Sequence, residues 1–160
     1  MTVSADILES YRRPRAVLRR KLAAGNAEAR ALATLMGACL LIFVAQWPAL
    51  ARSAHLDPSI PLDARLGGAL MAVVFLVPLF AYGVAAISHL VARAFGGQGS
   101  HTGARIALFW SLLAISPLML LHGLAQGLVG AGPALTILGA IVGLGFLFLW
   151  INALIEAERG

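Results

Sequence analysis

Long uncharged stretches alternate with short charged segments along this chain of 160 residues. Four mainly hydrophobic stretches contain no Asp, Glu, Lys or Arg, and they cover residues 31–51, 66–91, 106–129 and 133–153. An α-helix rises about 1.5 Å per residue, so about 20 residues cross the roughly 30 Å hydrocarbon layer of a bilayer. The pattern therefore predicts an all-α fold, a polytopic transmembrane helical bundle of about four spans.

Prolines and glycines within this pattern mark the expected boundaries of the spans. The Trp47-Pro48 step is expected to end the first span, because proline cannot continue the helical hydrogen bonds. Pro78 is expected to kink the second span. The segment from Gly130 to Pro133 is the only turn signal between the third and fourth spans, so a broken or re-entrant segment is the alternative there. Three or five spans are the alternative counts.

The positions of the basic residues predict the orientation of the spans. With the N-terminus inside, ten of the twelve Lys and Arg residues lie on the cytoplasmic side, and only Arg52 and Arg65 lie outside. Short loops rich in Lys and Arg stay in the cytoplasm during insertion. We therefore expect a multi-pass protein of a bacterial inner membrane, with the N-terminus and the C-terminus both cytoplasmic.

The composition excludes two rival classes of protein. Hydrophobic residues make up 60% of the chain and charged residues only 12%, whereas soluble domains carry about 25% charged residues. The net charge of +5 would suggest nucleic acid in a soluble protein, but here the basic residues flank the spans. We expect no nucleic-acid partner. The expected partners are the lipid bilayer and either a second copy of the chain or another membrane protein.

The segment ahead of the first span, residues 1–30, is basic and amphipathic. Pro14 is expected to divide it into two short helices. Such a segment is typical of a helix that lies on the anionic inner leaflet, although the charges alone would also serve to fix the topology. Its apolar residues fall on approximately one helical face and are Ile7, Leu8, Tyr11, Leu18 and Leu22.

Few side chains inside the spans could carry chemistry. The absence of charged residues from the span interiors removes the carboxylate relay of a proton-coupled pump. His89 and His122 lie roughly 6 Å and roughly 25 Å from the cytoplasmic ends of their spans, too far apart in depth to share a metal or haem. With no nucleophile and base at a suitable spacing, we expect no enzyme, catalytic residue, cofactor or metal. The intramembrane polar candidates are His89, Ser116, His122 and Gln126.

Two pairs of glycines, each four residues apart, are candidates for helix packing. They are Gly123 with Gly127 and Gly139 with Gly143. Small residues at this spacing let two helices approach closely in lipid, where no hydrophobic effect drives association. The helix that packs there belongs to this bundle, to a second copy or to another complex.

The loop between the second and third spans carries a resemblance. Residues 88–100 (SHLVARAFGGQGS), followed by residues 103–105 (GAR), resemble the signature between consecutive spans of bacterial Yip1-domain proteins. Segments near the N-terminus (residues 5–8, 11–12 and 14–16) and the later residues 117–118 and 132–133 are similar to alphaproteobacterial members. The family-like loop positions are Gly96, Gly97, Gly99 and Ser100. Without the resemblance, the loop would be interpreted as a tight turn, because it lacks the Lys-Ser/Thr ending of a phosphate-binding loop.

The resemblance implies a multi-spanning inner-membrane protein without a catalytic centre. Its eukaryotic relatives act in membrane traffic through partners such as small GTPases. The family's usual five spans would place the C-terminus outside, against the distribution of charge in this chain. The implied organisation is a segment of residues 1–30, a transmembrane Yip1-like domain of residues 31–155 and a tail of residues 156–160.

Taken together, these features predict a non-catalytic organising or interaction protein that acts through helix packing. One alternative is a small transporter or channel, because Pro78 and Pro117 break their spans near polar side chains. The other alternative is an accessory subunit of a larger membrane complex.

Overall fold

The structure is a computed structural model, and it describes residues 2–160. Helices make up 84% of it, and these residues contain no strand. The all-α prediction is therefore confirmed. The helices are α1 (Val3–Ser10), α2 (Pro14–Ala23), α3 (Ala27–Leu56), α4 (Leu62–Met71), α5 (Val77–Ala94), α6 (His101–Leu128) and α7 (Pro133–Ala157), and a π-helical turn (Ala72–Leu76) joins α4 to α5.

Four helical segments are long and apolar enough to span a membrane. They are α3, the continuous segment Leu62–Ala94, α6 and α7. The prediction of four spans is confirmed, and the architecture is that of a multi-pass membrane protein. Each helix extends past one or both ends of its predicted stretch, because hydropathy marks where lipid ends and helical hydrogen bonds continue into the polar region.

The predicted end of the first span at Trp47-Pro48 is wrong. Helix α3 continues through Pro48 and Arg52 to Leu56. The neighbouring helix α6 has Gly127 at this level, and a Cβ there would overlap the Pro48 ring and carbonyl group. The missing side chain leaves room for the proline inside a tightly packed helix pair, so the chain passes it without ending the helix.

The interruption expected at Pro78 lies one turn earlier. The π-helical turn Ala72–Leu76 comes directly before α5, in which Pro78 is the second residue. Proline has no N–H for the carbonyl group four residues before it, and its ring clashes with that carbonyl group. The wider π-helical turn accommodates this clash and keeps Leu62–Ala94 a continuous helical segment.

Helices α6 and α7 extend beyond the uncharged stretches at the end of the bundle where α6 begins and α7 ends. Ser100 caps α6, and its Oγ accepts a hydrogen bond from the Gly103 N–H at 3.0 Å, so the helix begins before Arg105. Helix α7 continues to Ala157. Glu156, the first residue of the predicted tail, is therefore helical, and it is buried.

Helices α3 and α6 form the centre of the bundle, and α5 and α7 both contact α6. The core between them consists largely of small and aliphatic residues, such as Leu35, Ala38 and Ala107, together with Phe109. Gly130, with a positive φ of 80°, separates α6 from α7. The structure thus has two full-length helices here and no re-entrant segment within residues 2–160.

The N-terminal segment forms two helices divided at Pro14, as predicted, and they pack against each other as a hairpin. Its position differs from the prediction. The buried residues Val17 and Leu18 lie in a core shared with α3 and α6, while Leu8 is 72% exposed. The main apolar face therefore packs on protein rather than on a lipid leaflet.

Candidate functional site

Three segments distant in sequence meet at one end of the bundle and form what we call the polar cap. It consists of the α1–α2 hairpin, the loop of residues 95–103 together with His89 from the preceding end of α5, and residues 156–160. Residues 2–160 contain seven buried polar or charged side chains, and five belong to the polar cap: Asp6, Ser10, His89, Glu156 and Glu158. Burial of such groups is costly unless they are paired. The polar cap is therefore the most specifically organised polar region of the chain.

Ion pairs hold the two helices of the hairpin together. The buried Asp6 carboxylate accepts hydrogen bonds from Lys21 at 2.5 Å and from Arg20 at 3.1 Å, and Arg20 also binds Glu9 at 2.6 Å. Burial opposes ionisation of Asp6, but the hydrogen bonds and charges of Lys21 and Arg20 outweigh it and hold the pKa of Asp6 below its ordinary value. The hairpin is thus a folded unit rather than a loose leader.

We expect the hairpin to loosen in acid because of Asp6. Its pKa is lower in the folded protein, so its contribution is complete above the unfolded value near 3.9 and disappears as the pH falls through the folded pKa. The protection factors of residues 3–23, which correct for the slower intrinsic amide exchange in acid, should therefore fall once the pH drops below about 4. Asp6→Asn should show low protection factors both above and below this pH, whereas Asp63→Asn, at the opposite end of the bundle, should behave like the wild type. A wild-type profile for Asp6→Asn would refute the role of this carboxylate.

Two aromatic side chains attach the hairpin to α6. Trp110 Nε1–H donates to Ser10 Oγ at 2.9 Å, and the Lys21 ammonium lies 4.3 Å from the centre of the Trp110 ring. The Tyr11 hydroxyl donates to the Ala114 carbonyl oxygen at 2.5 Å, and burial raises the pKa of Tyr11. These contacts fix both the depth and the rotation of the hairpin.

The hairpin also runs along α7. Arg15 Nε donates to Asn152 Oδ1 at 3.0 Å, and four residues later Arg19 Nε donates to Glu156 Oε1 at 2.8 Å. The equal spacing in both helices shows that α2 lies parallel to α7. The turn of the hairpin consequently points along the bundle, away from the end formed by the polar cap.

The glycine loop of residues 95–103 packs against the end of α7. The Gln98 N–H donates to the Glu158 carbonyl oxygen at 2.8 Å. A Cβ at Gly99 would overlap the Ala157 carbonyl group, and one at Gly97 would lie 2.8 Å from Glu158 Oε2. Gly96 ends α5 with a φ of 91°. With Ser100 capping α6, all four predicted loop positions have a structural role, and the close backbone approach requires glycine.

His89 also contacts the end of the chain after α7. Its side chain is 2% exposed, and Nδ1 lies 2.7 Å from Glu158 Oε1. The His101 ring packs on it at 4.2 Å between centroids. The sequence singled out His89 but missed Glu158 and His101. In the sequence Glu158 is only an acidic residue shortly after the last apolar stretch, and such a residue is equally expected at a helix end exposed to solvent.

The remaining polar candidates lie elsewhere in the bundle. Ser116 Oγ donates to the Leu113 carbonyl oxygen in its own helix at 2.6 Å, an ordinary local bond for serine in a helix. His122 and Gln126 line a cavity of about 540 Å³ between α3, α6 and α7, together with Gln46. The structure therefore brings two of the four candidates together, while His89 and Ser116 lie apart from them.

The two glycine pairs have different environments. A Cβ at Gly123 would overlap the Ala45 carbonyl group of α3, and one at Gly127 would overlap Pro48, so this pair packs within the bundle. Gly139 would place a Cβ 3.2 Å from His122 Nε2, and Gly143 has no atom within 4 Å of such a Cβ. The second pair therefore leaves open space beside α7 at Gly143.

Within residues 2–160 no three His, Cys, Asp or Glu side chains are grouped as a metal ion would need. The chemistry that the polar cap shows is ion pairing and hydrogen bonding, in which Arg19, Arg20 and Lys21 donate to buried carboxylates. Comparison with protein-family models, with curated proteins and with solved structures finds no match to this chain.

Proposed function

We propose that this chain is a non-catalytic, multi-pass membrane protein that organises other membrane components through its polar cap. The observation that carries the proposal is the assembly of the polar cap from three distant segments around five buried polar side chains. Each of the five side chains makes at least one hydrogen bond, while Glu158 Oε2 has no partner among the described residues. Paired buried polar groups favour one arrangement over alternatives. Burying these groups costs desolvation free energy. A protein is expected to retain such a costly arrangement where the surface it shapes binds a partner.

A hairpin that served only to fix topology would need positive charge and no fold. The positive-inside rule depends on the number and location of Lys and Arg residues. Here the hairpin carries the buried Asp6 network and is attached to α6 and α7, while Arg12 and Arg13 remain exposed. An ordered surface with exposed arginines supports interaction rather than insertion alone.

The Yip1-like loop supports the same proposal. Residues 96–100 lie in the polar cap, where they pack against the end of α7. Membership of the bacterial Yip1-domain family is part of the proposal, because that resemblance implies action through partners. The basic residues of the polar cap favour a cytoplasmic location for this end, at a bacterial inner membrane.

Purification from native membranes in a mild detergent tests this function. We expect a reproducible set of membrane proteins to accompany the wild type and to fall severalfold with Trp110→Ala, which detaches the hairpin. Trp47→Ala, a lipid-facing control, should retain the set. A lone monomer from the wild type, or an identical set from both variants, would contradict an organising function.

The cavity lined by Gln46, His122 and Gln126 favours transport of a small polar solute as the second candidate function. These side chains make no hydrogen bond to other described residues, so they are free to bind a solute within the span region. Flux into liposomes that disappears with His122→Leu, combined with monomeric purification, would favour this candidate over the first.

A further inference from the structure

We propose that the hairpin turn, residues 11–15, binds the phosphate groups of anionic phospholipids beside α7. The inference rests on the proposed function, since it names a partner for one surface of the polar cap. It differs from a helix lying flat on a leaflet, because the hairpin stands along the bundle and presents only its turn.

The contacts of the hairpin give the depth of the turn. Tyr11 binds the carbonyl group of Ala114, which is about 20 Å along α6 from its start at a rise of about 1.5 Å per residue. Phe148, which lies beside the turn, is about 14 Å along α7 from its end by the same rise. The turn is therefore roughly 14 Å below the end of the bundle, toward its middle.

The opposite end of the bundle shows where this depth falls in a bilayer. Arg52 donates to the carbonyl oxygens of Gly127 and Leu128 at the far end of α6, which marks the polar boundary there. A hydrocarbon layer of about 20 helical residues, counted back from Leu128, ends near Leu108. Ala114, which Tyr11 contacts, lies six residues or about 9 Å inside this second boundary, so the turn lies within the outer part of the hydrocarbon layer. The long side chains of Arg12 and Arg13 extend from there toward the phosphate groups.

Arginine side chains at this depth need an anionic partner. Arg12 and Arg13 are exposed, and neither side chain donates a hydrogen bond to another residue within 2–160. Glu9, the nearest acid along the chain, is already bound to Arg20. A guanidinium group at the edge of the hydrocarbon is costly when unpaired, whereas phosphate binds it through two parallel hydrogen bonds.

Apolar walls beside the arginines fit acyl chains. One groove of about 570 Å³ is lined by Leu8, Glu9 and the two arginines, and another of about 420 Å³ lies between the turn and α7, where Phe148 is its large apolar residue and Asn152 a polar one. Leu8 is 72% exposed and Phe148 is 51% exposed. A basic site with apolar walls at the boundary of the hydrocarbon layer matches a phospholipid better than a soluble phosphate compound, which needs no apolar wall.

Native mass spectrometry of the full chain, titrated with phosphatidylglycerol, tests this site. We expect the double variant Arg12→Gln with Arg13→Gln to bind the lipid about 30-fold more weakly, equivalent to about 2 kcal/mol for two basic residues near the surface. The matched control is Arg30→Gln with Arg93→Gln, which removes two exposed arginines from the same end of the bundle. It should bind the lipid within about threefold of the wild type.

If both double variants bound the lipid equally weakly, the attraction would be diffuse and electrostatic, and the proposed site would be wrong. If the Arg12 and Arg13 variant bound the lipid as well as the wild type does, the site would also be wrong. Displacement of the lipid by inorganic phosphate at equal concentration would refute a phospholipid as the occupant. Thermal unfolding confirms that each variant is folded. If the lipid result fails while partner proteins still accompany the wild type, only this inference is lost. A lone wild-type monomer with an intact lipid site would instead contradict the proposed function.

Discussion

Gly123→Ala is expected to lower the free energy of unfolding of the bundle by about 3 kcal/mol or more. Helices α3 and α6 approach so closely at this point that a Cβ would overlap the carbonyl group of Ala45. Backbone atoms of a packed helix cannot rotate out of the way as a side chain would. The two central helices would have to separate, and every contact between them would weaken together.

Gly143→Ala provides the matched control for this prediction, because the same methyl group is added to a glycine in a spanning helix. No atom lies within 4 Å of the added carbon, so the substitution should raise stability by up to about 1 kcal/mol through helix propensity. Unfolding of both variants in one detergent, by heat or by added dodecyl sulfate, measures the difference. Equal shifts in the two variants would show that α3 and α6 are not packed as described.

These glycines illustrate what the sequence could and could not predict. Both pairs have the same spacing, and the sequence marked both as candidate packing positions. Spacing shows that two glycines share a helix face, but it does not show which helix faces them. Gly123 and Gly127 meet α3 within the bundle, whereas Gly143 faces open space.

The number of spans could be predicted because it depends on a local quantity. A stretch of about 20 uncharged residues cannot satisfy its backbone groups in lipid except as a helix. The ends of the helices depend on contacts instead. Pro48 lies inside α3 because Gly127 leaves room for it, and Glu156 lies inside α7 because Arg19 and the glycine loop bind that end.

The polar cap could not be predicted because its contacts join residues far apart in sequence. Trp110 binds a serine 100 positions earlier, and His89 binds a glutamate 69 positions later. The amphipathic pattern of the hairpin was visible, but a face made of Val17 and Leu18 fits protein and lipid equally well. Only the tertiary contacts distinguish the two, and they put the hairpin on α6 and α7.

Trp110→Ala is expected to detach the hairpin from the bundle and to weaken its docking by about 3–5 kcal/mol. The substitution removes a buried indole, its hydrogen bond to Ser10 and its contact with Lys21. Ser10 is also left buried without its donor. Trypsin cleaves after Arg12 only in the open form, whereas the Arg13–Pro14 bond resists it, so the rate of cleavage after Arg12 should rise by about two orders of magnitude or more.

Trp47→Ala separates the loss of this docking from the general loss of a tryptophan. Trp47 lies on α3 with 47% of its surface exposed, and it makes no contact with the hairpin. Cleavage after Arg12 should therefore stay within a few-fold of the wild-type rate. If Trp110→Ala left the rate equally unchanged, the hairpin would not depend on α6, and the account of the polar cap as a single folded unit would be wrong. A fast rate in the wild type itself would lead to the same conclusion, because an undocked hairpin exposes the Arg12–Arg13 bond to the protease without any opening step.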